Sequence, residues 1–478
     1  MENRRKGRTL ISVSKKTFLQ VTALLLVLLA VSIVLTFVVP KGEFGVLSDG
    51  NTDYTSYIRR DDLGGIPLWQ GILAPILVFF SSDGLTLIML SLFLFVLSAV
   101  FQVMNDVGGI RSLVDAVSGR FSGRRKLLLV LMSFLFYCFG AFLGLFEEML
   151  AMLPIVAALC LSVGFDSFTG FLCSILACGF GFAGAITNPF TVLLASEIIG
   201  ANPMEHIGFR FLIFFVMFGL LQAFLFTYVR RLEKDPSSSL TAVHDAEARQ
   251  EEKEASSYGD VRESEKKSGW ICALFLLGAL LLIITAALIP TLRGYTVVLL
   301  IAYFLLFGLL AGTAACSSFR FVGKSFLRGL TAALPTLVFI ALSASIKYVF
   351  EKGAILPTIV NLINLQIEGH SPVTVALVIY VIVLLLEFFI SSSTAKAILV
   401  MGLLAMVNTG LSKQMLVLLY TFGDGYTNVI FPTSPVLLIG LSMVRLDYFT
   451  WIKKSALFFV LNFLLVIGFI VLGVVIGY

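Results

Sequence analysis

Gly179-Phe180-Gly181-Phe182-Ala183-Gly184-Ala185-Ile186-Thr187-Asn188-Pro189-Phe190-Thr191 starts as an apolar helix and cannot finish as one. Its glycines loosen the helix, and Pro189 removes an amide donor from the middle of it. Phe422-Gly423-Asp424-Gly425-Tyr426-Thr427-Asn428, with Pro432-Thr433-Ser434-Pro435, repeats the pattern in the second half. The repetition extends upstream. Leu97-Ser98-Ala99 recurs as Leu342-Ser343-Ala344, a shift of 342 − 97 = 245, and the same shift carries Glu148 onto Ser393. Each copy runs in one order: an apolar helix, a sloping segment, an apolar segment interrupted by a polar cluster, and a broken helix. Broken apolar segments at matching places in two halves mark a membrane protein with a polar site between them.

Composition agrees. The 478 residues are 58% hydrophobic and 13% charged, with a mean hydropathy of +1.00. Apolar runs of about 20 residues recur, each long enough to cross roughly 30 Å of hydrocarbon. The chain therefore reads as an all-α polytopic membrane protein. Its net charge of +5 comes with basic residues clustered at the ends of apolar runs, where they orient the protein rather than bind nucleic acid. Cys138, Cys160, Cys173, Cys178, Cys272 and Cys316 lie inside apolar segments without metal-type spacing to histidine, and read as small lipid- or core-facing residues. His206, His244 and His370 fall in loops or the linker. No nucleophile–base constellation and no phosphate-cradling loop is present, which argues against a membrane enzyme or an ATP-driven pump.

Positive charge sets the orientation. Arg4, Arg5, Lys6, Arg8, Lys15 and Lys16 precede the apolar run 18–39. That run is too long for a signal h-region and lacks a small-residue cleavage site, so the N-terminus is expected in the cytoplasm. Residues 40–65 are acidic and suit the outer face; 66–80, interrupted by Pro67 and Pro75, read as an interfacial arm; 84–105 crosses back to an inner loop with Arg111, Arg120, Arg124, Arg125 and Lys126. Residues 127–164 are interrupted by Gly144, Glu147 and Glu148 and read as a hairpin with two short arms that returns to the side it entered. Such backbone is tolerated only against protein or a watery cavity. The broken helix 168–199 and the span 209–229 complete the half 1–230. Residues 231–268 read as a flexible cytoplasmic linker.

The half 269–478 holds spans at 270–289, 295–314, 334–350 and 456–477. It also holds an inner interfacial segment with Arg320, Lys324 and Arg328, an outer arm at 353–366, a second hairpin at 373–408 and a broken helix at 414–443. The tally is nine full spans and two re-entrant hairpins. Because 84–105 runs inward and 334–350 runs outward, the two repeats are expected to be inverted.

Ionisable groups inside spans are costly, about 2.5–3.5 kcal/mol near a helix centre, so the few present are informative. Glu147 and Glu148 sit at the first tip, or else form an inner-surface pair. Lys396 follows the second tip, Ser391-Ser392-Ser393-Thr394, and either faces substrate or pairs with a glutamate. Asp424 lies at the second break, as a site residue or a helix-end cap. Glu387 reads as a snorkelling or supporting group. The breaks also free backbone amides and carbonyls, which attract carboxylates and cations respectively. Thr187, Asn188 and Pro189 at one break, and Thr427, Asn428, Thr433 and Ser434 at the other, add hydroxyls and amides.

At Glu147-Glu148, at the Gly179–Thr191 stretch quoted above, and at Phe422–Asn428 with Pro432-Thr433-Ser434, the sequence resembles the YfcC-like branch of the C4-dicarboxylate anaerobic carrier family. The resemblance implies membership of an ion-transporter superfamily that includes divalent anion/sodium symporters with Ser-Asn-Thr hairpin tips. Here Ser392-Ser393-Thr394 is a near match, while Phe146-Glu147-Glu148 departs from it. It further implies a bacterial cytoplasmic-membrane secondary transporter with a scaffold domain, commonly homodimeric, and a transport domain that moves like an elevator. Related sequences include proteins assigned to arginine/ornithine exchange. Sodium or a proton is the coupling ion to expect if there is one, with sodium positions near Gly184, Asn188 and Asn428.

Charge arbitrates the substrate. With Glu147, Glu148 and Asp424 ionised and Lys396 protonated, the site carries about minus two, and a dicarboxylate would add to the repulsion. Lys396 falls where sodium-coupled relatives have a small residue, so its ammonium is placed to stand in for a coupling cation. The expected function is exchange of a basic amino acid; the alternative is sodium- or proton-coupled symport of a C4-dicarboxylate.

Overall fold

The computed structural model describes residues 15–48, 52–82, 84–121, 123–243, 245–246, 262–293, 295–365, 369–390 and 393–478. Among them, nine helices are long and apolar enough to cross a membrane: Phe18–Val38, Gly84–Asp106, Arg125–Leu143, Ile207–Lys234, Lys267–Ala286, Thr296–Cys316, Phe319–Lys352, Pro372–Phe389 and Tyr448–Val475. The number equals the expected tally, but the set differs. The first arms of both hairpins, Arg125–Leu143 and Pro372–Phe389, are themselves of spanning length. At 1.5 Å per residue they reach about 27–29 Å. Only the returning helices, Leu153–Ser162 and Ser393–Met406, are short. The sequence reading had cut each hairpin evenly about its polar tip, where hydropathy changes. Instead, a π-helical turn at Phe139–Leu143 prolongs the first arm almost to the tip.

Helix starts follow local chemistry. Ser371, Ser412, Ser434 and Asp447 each accept a hydrogen bond from a first-turn amide, and Pro372 and Pro435 sit at the first helical position after two of these caps. Residues 66–80 form two short helices, Leu68–Ile72 and Ala74–Leu77, and a 3-10 turn, as an arm interrupted by prolines must. The outer arm of the second half is the helix Leu356–Leu365.

The all-α expectation needs one amendment. Residues 40–65 contain an antiparallel pair, β1 Gly42–Val46 and β2 Thr52–Arg59, with Gly42 opposite Arg59 and Val46 opposite Thr52. Arg60 ties the pair together by bonding both Glu43 (2.6 Å) and Asp62 (2.7 Å). That guanidinium holds the Asp62 carboxyl down to about 2. Tyr57 shares a 2.8 Å hydrogen bond with Thr358 on the outer arm, and Tyr54 packs over Gly402 on the returning helix of the second hairpin.

The linker is also shorter and less free than expected. Helix Ile207–Lys234 enters it from one side and Arg262–Leu288 from the other. Residues that follow the first of these dock on the start of the first broken helix. Buried Asp245 accepts from Ser167 N (3.1 Å), Ser167 Oγ (2.5 Å) and Thr241 Oγ1 (2.7 Å), and Ser239 donates to Asp166 at 2.8 Å. These bonds fasten an otherwise polar segment to the bundle. Residues 247–261 of the expected linker lie outside the described residues.

Element order recurs in the two halves. Helix starts at Gly84, Arg125 and Ile207 correspond to Leu334, Pro372 and Tyr448, giving shifts of 334 − 84 = 250, 372 − 125 = 247 and 448 − 207 = 241. The two broken helices cross at small residues. A Cβ on Gly425 would lie 2.6 Å from Ala183 Cα, and one on Gly179 would lie 2.4 Å from Val429 Cγ1. As the number rises from 179 to 183 its partner falls from 429 to 425, so the broken helices run antiparallel where they touch.

Candidate functional site

The first break is the gap between helix Ala177–Ala183 and the π-helical turn Pro189–Leu193. It is held by carbonyls that the π turn before the first tip leaves free. Ile186 N donates to Ala141 O (3.0 Å), Thr187 Oγ1 to Phe142 O (3.2 Å) and Asn188 Nδ2 to Gly140 O (2.9 Å). Asn188 Oδ1 accepts from Phe190 N (2.9 Å) and Thr191 N (3.2 Å), and Pro189 between them has no N–H. The chain then turns back through Gly144, at φ +67°, where an added Cβ would meet Asn188 Oδ1 at 2.7 Å. Glycine is required there on both counts.

The tip separates its two glutamates. The 3-10 turn Glu147–Ala151 leaves Glu147 exposed and Glu148 buried, at 7% exposure. Among the described residues Glu148 Oε2 has no hydrogen-bond partner. Cys178 on the broken helix donates to Leu145 O at 2.5 Å and so fixes the tip. The sequence reading had made this thiol a plain core residue. Packing of the turn Glu147–Ala151 against the half-helix Pro435–Met443 brings the first tip to the second break.

The second half concentrates charge. Lys396 is fully buried, with its ammonium between Asp424 Oδ1 (2.7 Å) and Glu387, and it donates to Ile390 O at 3.2 Å. Asp424 Oδ2 accepts from Ser393 Oγ at 2.9 Å, and Tyr420 donates to Ser393 O. Asp424 is thus a partner of the tip rather than a helix cap, and Glu387 is a direct ligand of Lys396 rather than a snorkelling group. Burial without a cation would be prohibitive for either carboxylate.

The side chains at the second break close the helix end themselves. Thr427 Oγ1 donates to Gly423 O (3.0 Å), and Asn428 Nδ2 donates to Asp424 O (2.8 Å) and Gly425 O (3.2 Å). Ser434 Oγ accepts from Leu437 N at 3.4 Å. The backbone groups expected to be free for ligands are therefore largely taken, because polar side chains beside a helix end cap it. Thr433 Oγ1 is the exception, buried and without a partner. Thr394 is exposed, and Ser392 lies outside the described residues. A Cβ on Gly184 would lie 2.0 Å from the Tyr137 hydroxyl oxygen, so close packing accounts for that glycine.

The pieces interlock crosswise. The half-helix after the first break packs on the returning helix of the second hairpin, and the half-helix after the second break packs on the first tip. Several buried charges escaped the sequence reading, among them Asp106, Asp166, Lys347 and Arg210. Arg210, inside the span Ile207–Lys234, donates to Ala185 O at 3.4 Å, in the first break. Its signal was an arginine isolated between Phe209 and Phe211. Among the described residues, no group of three or more His, Cys, Asp or Glu side chains is placed to hold a metal ion.

Comparison with known proteins identifies a family. Residues 18–475 match the C4-dicarboxylate anaerobic carrier family, DcuC. YfcC of Escherichia coli (strain K12), provisionally named a basic amino acid antiporter, is 27% identical over 403 residues, covering 80% of this chain and 77% of that protein. A protein of Haemophilus influenzae (strain ATCC 51907 / DSM 11121 / KW20 / Rd), described only as uncharacterised, is 24% identical over 363 residues, 76% of this chain and 70% of its own length. The crystal structure of the Alcanivorax borkumensis YdaH transporter is a loose likeness, with a TM-score of 0.43 and 16% identity over 96% of this chain and 99% of that one. Both breaks and both tips lie inside the matched span, and the chain belongs to the C4-dicarboxylate anaerobic carrier family, as a multi-pass membrane transport protein and not an enzyme.

Proposed function

We propose that this protein is a secondary transporter of the cytoplasmic membrane that exchanges basic amino acids. One observation carries the reading: the lysine of the site is spent on Glu387 and Asp424, while Glu147 and Glu148 have no cationic partner among the described residues. Four carboxylates against one ammonium make −4 + 1 = −3 when all are ionised, one more negative charge than the sequence reading counted. A dicarboxylate would bring the sum to −5, and like charges about 4 Å apart repel by roughly 4 kcal/mol even at an effective dielectric of 20. A guanidinium or ammonium meets the opposite sign, with geometry suited to carboxylates. The provisional name of the Escherichia coli relative points the same way.

Lys396 sits where a bound cation would otherwise balance Glu387 and Asp424, which favours exchange without a coupling ion. The antiparallel crossing of the two broken helices supports inverted repeats, and with them an elevator-like transport domain built from the hairpins and broken helices, an N-terminus in the cytoplasm and a homodimeric scaffold. Uptake of labelled arginine into proteoliposomes, with and without internal ornithine, tests the function. Internal ornithine is expected to stimulate uptake, and its failure to do so rejects exchange. The family description favours a second reading, C4-dicarboxylate symport, with sodium placed near Gly184, Asn188 and Asn428. Succinate uptake driven by a sodium or proton gradient would select it.

A further inference from the structure

An amino acid carries a carboxylate as well as its cationic groups, and the exchange reading leaves open which of these the site holds. Receptors for an anion are present but occupied. At the first break, both amides that follow Pro189 go to Asn188 Oδ1. At the second, Pro435 has no N–H and Leu437 N goes to Ser434 Oγ. Lys396 is divided between Glu387, Asp424 and Ile390 O, and Arg210 is turned to Ala185 O. The donors named here thus serve acceptors of the chain itself.

Receptors for cations are in the opposite state. Glu147 is exposed. Glu148 is buried with Oε2 unpartnered. Among the described residues Thr433 Oγ1, able to accept as well as donate, is also without a partner, at the break whose following half-helix packs on the Glu147–Glu148 tip. Buried acceptors left without donors are strongly disfavoured, and a ligand rich in N–H donors satisfies them. The charge sum agrees: a zwitterionic basic amino acid of net charge +1 leaves −3 + 1 = −2, whereas a dication leaves −3 + 2 = −1.

We propose that the site recognises the cationic groups of its substrate and not its carboxylate, so that dicationic amines, the decarboxylated counterparts of basic amino acids, occupy and cross the same site. This deepens the exchange reading and rests on it. The proposal predicts a reversal of the usual order for an amino-acid carrier: removing the carboxylate is tolerated, and removing the side-chain cation is not.

Competition in arginine/ornithine counterflow by the full chain in proteoliposomes tests it, with agmatine (arginine without its carboxylate), putrescine (ornithine without its carboxylate) and norvaline (the carboxylate without the side-chain cation). Agmatine is expected to half-inhibit within about tenfold of unlabelled arginine, and norvaline to be at least about 100-fold weaker. Internal agmatine is expected to drive arginine uptake, which separates a transported amine from a blocker. Arginine exchange inhibited by norvaline but not agmatine, or by neither, overturns the proposal and leaves the exchange reading standing. Succinate uptake with no arginine counterflow overturns both. Ligand-dependent melting of the purified protein gives a readout independent of transport: agmatine is expected to raise the melting temperature, and an increase with norvaline alone counts against the proposal.

Discussion

Lys396→Ala would leave Glu387 and Asp424, both inaccessible to solvent, facing each other and the Ile390 carbonyl across the space the ammonium held. Removing one partner of a buried ion pair costs about 3–5 kcal/mol. An independent estimate agrees, since two carboxylates roughly 5 Å apart repel by about 3 kcal/mol at an effective dielectric of 20. The vacated space is lined by carboxylate and carbonyl oxygens, the ligands a hard monovalent cation takes. Sodium at about 100 times its dissociation constant would return roughly 2.7 kcal/mol, most of what was lost. Melting of the purified wild type is therefore expected to be equal in sodium and choline salts, while the variant melts lower in choline and recovers in sodium. Arginine counterflow by the variant is expected to become sodium-dependent, while wild-type counterflow is not. The reasoning fails if the wild type needs sodium for exchange, or if the variant melts identically in the two salts.

Glu148→Gln keeps the size of the side chain and removes its charge. Initial counterflow rates are expected to fall about tenfold or more with expression and melting unchanged; wild-type rates would take Glu148 out of the site. At the outer face, a Cβ on Gly402 would lie 2.8 Å from the Tyr54 ring, so cysteines at both positions are close enough to be bridged by a short bifunctional thiol reagent. If the second hairpin moves against the β pair during transport, bridging stops exchange, and a cleavable reagent restores it on reduction. Undiminished exchange at complete bridging means that the two do not separate.

The position of the breaks was readable from single residues. Asn188, Thr427, Asn428 and Ser434 were expected to offer amides and hydroxyls to a ligand, and instead bond the backbone of the interrupted helices, because polar side chains beside proline and glycine cap helix ends. The β pair was not readable, because its strands are short and lie in an acidic loop with no sustained apolar alternation. The length of the first hairpin arm was misjudged because hydropathy is blind to a π turn. The roles of Glu387 and Arg210 were hidden because an isolated charge in an apolar run does not announce its partner.

Sequence alone determined that the chain is a series of apolar helices and where the polar interruptions fall. These are local properties: a bilayer demands long apolar helices, and proline, glycine and capping residues act within one turn. Tertiary structure decided which charges meet. Lys396 reaches Glu387 across a non-helical tip and Asp424 on another helix, 424 − 396 = 28 positions away. It also divided the adjacent pair Glu147 and Glu148 between an exposed and a buried place. Charge pairing depends on distance through space, and the packing of the second hairpin against the second broken helix sets those distances.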